Sequence, residues 1–155
     1  MDATEIYVLC GSRSAKLANH FLNCCLPDRQ PVANEYPFPE FADNPLAIYQ
    51  SADELLIRLE QEPGEGYSIY WDSKDDKSSR QVMLFFTEDG SMIAGFGGAC
   101  ETASESLRAI ALLVNGQFGY VTSGSCPPES RDAFIQLCRD STVINLFEGK
   151  IRDVE

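Results

Sequence analysis

Three short stretches of this sequence hold residue types that could do chemistry at a useful spacing. His20 and Cys24 stand four residues apart with Cys25 adjacent, so a helix would put an imidazole and a thiol on one face, where a metal could meet them. Cys10-Gly11-Ser12-Arg13 follows an apolar run and precedes helical spacing, the order in which a thiolate could attack a phosphate held at a helix N-terminus. Asp72, Asp75 and Asp76 make the stretch after Trp71 a carboxylate-rich loop of the kind that binds calcium.

Each fails on closer spacing. Zinc in a structural site takes four ligands, and Cys10, Cys100, Cys126 and Cys138 are scattered singly, so His20, Cys24 and Cys25 read as a helix face that uses cysteine as a small apolar residue. A calcium loop starting at Asp72 would need glycine at its sixth position and glutamate at its twelfth, where Lys77 and Met83 stand. The Cys10–Arg13 turn resembles the phosphate loop of small tyrosine phosphatases. It has two residues between cysteine and arginine where that loop has five, and no Asp-Pro acid accompanies it. A small phosphate-handling enzyme built on this turn is therefore the second reading, and a plain strand-to-helix connection the first. With one histidine in the chain and no GxSxG, HExxH, GxxxxGK[ST] or GxGxxG pattern, the expectation is a protein that is not an enzyme and carries no metal or cofactor.

Charge speaks to partners instead. The chain has 12 Lys and Arg against 24 Asp and Glu, a net charge of -12 that would repel nucleic-acid phosphates and anionic lipid. Residues 35–76 hold 11 acids and two bases, Arg58 and Lys74, so most of the excess falls in one stretch. Such a field steers basic partners toward one region. No apolar run approaches the roughly 20 residues of a membrane span, and the first residues lack the regions of a signal peptide, so a cytoplasmic location with reduced thiols is expected.

The elements that must position these residues follow from periodicity. The 155 residues suit one domain. Residues 6–10 read as a buried strand, and Leu17, Ala18, Phe21 and Leu22 predict a helix from Ser14 to Cys25 that Pro27 ends. Five prolines between Pro27 and Pro45 predict an extended connection packed by Tyr36, Phe38 and Phe41. Ser51 with Glu54, and Thr102 with Glu105, are capping boxes that open two more helices, the second closing at Asn115-Gly116. YSIYW alternates, QVMLFFT is apolar on both faces, and the Asp89-Gly90 turn leads into MIAGF, which together make a three-stranded meander. A strand at FGYVT, a helix started by Pro127-Pro128, and a strand at TVINLF finish an α+β domain, one mixed sheet with a central antiparallel meander and about four helices packed on it.

The segment YSIYWDSKDDKSSRQVMLFFTEDGSMIAGFGG, with its proline-rich lead-in and helix, resembles the central part of immunity proteins from bacterial polymorphic-toxin systems, of the contact-dependent-inhibition and type VI kinds. Tyr70, Trp71, Arg80, Gln81, Met83 to Phe86, Thr87, Asp89, Gly90, Ile93 and Gly95 carry the resemblance, which covers roughly residues 35–98. It implies a cytoplasmic, non-enzymatic inhibitor that binds one cognate toxin domain and occludes its active site. Because many such toxins are basic nucleases or deaminases, Glu60, Glu62, Glu65, Asp72, Asp75, Asp76, Glu88 and Asp89 are the expected contacts, with Tyr70 as an aromatic anchor. Trp71 shares a strand face with Ile69 and is expected in the core.

Overall fold

The structure, a computed structural model, describes residues 4–75, 77, 79–98 and 102–152. Strand β1 (Thr4–Leu9) runs into helix α1 (Ala15–Cys25), and three short strands follow, β2 (Arg29–Pro31), β3 (Tyr36–Phe38) and β4 (Ala47–Tyr49). Helix α2 (Ala52–Gln61) leads into the meander β5 (Tyr67–Ser73), β6 (Gln81–Phe86) and β7 (Met92–Gly98). After helix α3 (Ala103–Val114) come β8 (Phe118–Thr122), helix α4 (Arg131–Asp140), β9 (Asn145–Phe147) and β10 (Lys150–Arg152). The architecture is α+β, with an eight-stranded sheet ordered β10-β9-β8-β1-β7-β6-β5-β2 and a separate β3–β4 ribbon.

The sheet is antiparallel at every described pairing, where a mixed one was expected. The reason lies in β1. Strands β7 and β8 run in the same direction and are joined through α3, but β1 is inserted between them antiparallel to both, so the crossover creates no parallel neighbours.

Local signals explain most element ends. Ser14, Ser51 and Ser130 each accept a hydrogen bond from a backbone N–H three residues on, and Asn115 ends α3 in the left-handed region at φ 55°. Thr102 makes no such bond and instead donates its hydroxyl to the Glu105 carboxylate at 3.0 Å, so a side-chain pair stands where the capping bond from Thr102 was expected. Helix α4 starts at Arg131 under the Ser130 cap, later than the Pro127-Pro128 pair suggested, because a serine that can accept from Ala133 N wins over two prolines that only fix φ. The turn after β6 is a three-residue loop: Gly90 N donates to the Thr87 carbonyl, Thr87 N to the Ser91 carbonyl, and Gly90 takes φ 90°, which favours glycine.

The two sheet faces are filled unequally. On one, Ile6, Val8, Ile69, Trp71, Val82 and Leu84 pack with Phe21 and Leu22 of α1, Leu55, Leu56 and Leu59 of α2, and Leu107 and Ile110 of α3. Tyr36 and Phe38 join that core, as expected, whereas Phe41 is 90% exposed. On the other face, α4 inserts Phe134 and Cys138 over Tyr120 and covers only the β8–β9 side. From there an aromatic ladder crosses the sheet: Tyr120 to Tyr7 at 5.7 Å, Tyr7 to Phe85 at 5.8 Å, and Phe85 to Tyr70 at 5.8 Å between ring centroids. Gly95 makes the ladder possible, because a Cβ there would lie 2.9 Å from the Tyr7 ring.

Arg13 ties the elements together from the β1–α1 turn. Its Nε donates to Leu59 O at 3.0 Å, Nη2 to Glu62 O at 3.1 Å and Glu65 O at 2.7 Å, and Nη1 to Thr87 O at 2.8 Å and Ser91 O at 3.4 Å. The guanidinium also lies 5.0 Å from the Phe86 ring centroid. One cation thus satisfies carbonyls at the C-terminal end of α2 and at both ends of the β6–β7 turn, where the helix dipole also favours it. Replacing Arg13 by alanine should cost about 3–5 kcal/mol, since partly buried carbonyls lose a charged donor. Arg13→Lys should recover less than half of that, because a compact ammonium cannot span the fan of acceptors. Urea unfolding of the three proteins measures both; an Arg13→Lys protein as stable as the parent would refute the fan.

Candidate functional site

Where α4 stops covering its face, a groove opens. Its floor is the end of the ladder, Tyr70 and Phe85, with rings inclined at 87°. Ser68, Tyr70 and Asp72 share this face of β5 because alternate residues do, and Tyr67, Ile69 and Trp71 turn to the main core, as expected for Trp71. One wall is the segment before α4, Cys126, Pro127, Pro128 and Glu129, held by the Tyr7 hydroxyl, which donates to Ser125 O at 2.9 Å. The opposite rim carries Glu40 and Phe41 from the β3–β4 loop, and Glu65 and Glu88 close the end. The volume is about 450 Å³, and a second hollow of about 240 Å³ continues from it past Tyr36, sharing Glu40, Phe41, Tyr67, Ser68 and Tyr70.

Two details mark the rim as unusual. Phe41 sits at φ 64°, a left-handed conformation that costs a bulky residue roughly 1–2 kcal/mol, and it stands almost wholly in solvent. Glu40 accepts from Ser68 N at 3.2 Å, so a carboxylate occupies the outer edge of β5 just beyond the point where β2 stops pairing at Pro31. Burial pushes the Glu40 carboxyl above the usual range, and the Ser68 N–H offsets part of that.

Of the residues expected to meet a partner, the structure brings Glu65, Tyr70 and Glu88 together at this groove. Asp72 and Asp75 lie along β5 and its following turn; from Tyr67, where the strand starts, to Asp72 is five steps, on the order of 17 Å at about 3.3 Å each. Asp72 accepts from Gln81 Nε2 at 2.9 Å and Asp75 from Lys77 N at 3.0 Å. Asp76 lies outside the described residues. Glu60 accepts from Ala15 N at 2.8 Å, satisfying the first turn of α1, and Glu62 is paired with Arg58. Asp89 accepts from the Thr87 hydroxyl and, at 2.8 Å, from Arg131 N, joining the β6–β7 turn to the start of α4. The expected acidic contacts are thus several local devices, of which Glu65 and Glu88 border the groove. Sequence reasoning missed Phe85, Cys126 and Glu129 as site residues and read Phe41 as core; nothing local in the sequence brings residues 126–129 against β5 and β6.

The residues of the alternative chemistry are differently occupied. Cys10 is buried, and burial pushes its thiol up to about 12, far from the lowered pKa of a thiolate nucleophile. Arg13 directs its N–H groups at carbonyls. His20 Nδ1 and Cys24 Sγ lie 3.9 Å apart on the surface, and among the described residues no group of three or more His, Cys, Asp and Glu side chains is placed to hold a metal ion. No described helix is long and apolar enough to cross a membrane. Comparison with known proteins found no family model, no curated relative and no solved structure that matches the chain.

Asp89 supplies a pH test of the geometry around the groove. The Thr87 hydroxyl, first, and the Arg131 N–H hold its carboxyl below the ordinary aspartate range, against the opposing effect of desolvation. A carboxyl depressed in the folded state stabilises above its unfolded pKa of about 3.9, and that contribution fades as the pH falls through the folded value. Asp89→Ala should therefore cost about 1 kcal/mol near neutrality, as for loss of a helix N-terminal acceptor, and progressively less in acid. Urea midpoints of the two proteins across that range read it out; a gap independent of pH would remove the charge from the explanation.

Proposed function

We propose that this chain is an immunity protein that binds a basic antibacterial toxin domain, of the nuclease or deaminase kind, and neutralises it by covering its active site. The observation that carries the reading is the groove: an aromatic floor rimmed by Glu40, Glu65, Glu88 and Glu129 in a chain of net charge -12. Aromatic anchors in a concave site supply affinity, and carboxylates raise the association rate with a basic surface and discriminate against acidic ones. Asp72 and Asp75 extend the same field along β5 and contribute to steering over a Debye length of about 8 Å at physiological salt. The resemblance of residues 35–98 to toxin-neutralising proteins points the same way.

Co-expression with the C-terminal toxin domain encoded beside this gene should restore growth, and a chain that protects against no neighbouring toxin would refute the proposal. Asp72→Lys with Asp75→Lys should slow association by about tenfold and flatten its salt dependence while leaving dissociation and thermal stability nearly unchanged. Stopped-flow binding reads that directly, and unchanged kinetics would remove these two residues from the interface. Cys10→Ala separates the phosphate-enzyme alternative, since it would abolish a Cys10-dependent turnover but should leave protection intact.

A further inference from the structure

We infer that the groove takes an extended basic segment of the protein partner, with an arginine side chain laid on the Tyr70–Phe85 rings between the carboxylates; this rests on the partner-binding reading above. Charge complementarity gives the sign of the occupant. Glu40, Glu65, Glu88 and Glu129 line the larger cavity, and no lysine, arginine or histidine is among the described residues lining either hollow. The rings give its type. A guanidinium is planar, is weakly hydrated, stacks on aromatic faces and forks to carboxylates, whereas an ammonium is a hydrated point charge.

Shape gives its extension. The two hollows share β5 residues and run on from one another, so a compact amine would fill one and leave the other open. Along that line the occupant meets Phe41, which is exposed. It also meets the edge of β5 at Ser68, where the Glu40 carboxylate holds an N–H that a main-chain carbonyl could take over. A strand-like segment uses both features and a free amine only the charge.

The test titrates the full chain calorimetrically with a short alternating Gly-Arg peptide, its Gly-Lys counterpart, and arginine amide. The Gly-Arg peptide should bind, with the lysine version several-fold weaker and arginine amide weaker still. Glu65→Gln with Glu88→Gln should weaken the Gly-Arg peptide by at least about tenfold, and Glu105→Gln with Asp140→Asn, the same loss of charge elsewhere, by less than about twofold. Tyr70→Ala should weaken it by about fivefold and Tyr70→Phe should not, which separates loss of the ring from loss of the fold. Equal losses in the two charge variants would reduce the effect to a diffuse field and overturn the inference. Arginine amide binding as tightly as the peptide would make this a small-amine site and overturn it too, as would a parent chain that binds no peptide. Toxin protection is scored separately: peptide binding without protection counts against the immunity reading alone, and protection without peptide binding counts against the groove alone.

Discussion

A single guanidinium decides how the halves of this molecule meet. Arg13 leaves the end of β1, and its donors reach the last carbonyls of α2 and both ends of the β6–β7 turn. Those acceptors are up to 78 residues away along the chain, so the helical layer and the meander are registered through one side chain. Arg152 repeats the device at the other end of the sheet, donating to the Cys138 and Arg139 carbonyls at the end of α4 and to Asn145 while lying over Phe147. In both places a cation from a distant segment terminates a helix, which suits a chain rich in carboxylates, because the arginine is spent on backbone oxygens instead of on a surface ion pair.

That arrangement leaves the sheet asymmetric. Three helices and the β3–β4 ribbon fill one face, while α4, short and set over β8 and β9, fills only part of the other. The ladder from Tyr120 to Tyr70 passes from beneath α4 into the open, so the same rings serve as core at one end and as surface at the other. An antiparallel sheet tolerates one partly solvated face, and the fold uses that tolerance to expose aromatic area without exposing the main core.

Much of the fold was legible because its signals are local. The Ser51 cap, the Asn115-Gly116 stop, the Asp89-Gly90 turn and the two-sided apolar pattern of β6 act within a few residues, and each sits where its chemistry placed it. The insertion of β1 between β7 and β8 was not legible, since strand order depends on which distant edges meet. The site divided in the same way. Tyr70 could be placed on the outward face by alternation, but Phe41 was misread because it follows Tyr36 and Phe38 in the same proline-rich segment and its backbone conformation is not encoded in periodicity. Charge counts along the chain could not distinguish Glu65 and Glu88, which rim a cavity, from Glu60 and Asp89, which accept from the first turns of helices.

The bond from the Tyr7 hydroxyl to Ser125 O has a consequence for kinetics. It fixes the loop before α4 to the central strand of the sheet, and Gly95 and Phe85 leave the Tyr7 ring little room to turn. A wall anchored in that way is already shaped before anything arrives, so little conformational entropy is lost on docking. The selectivity of such a surface then resides in how long a fitting partner stays, while its acidity governs how often partners of any fit arrive.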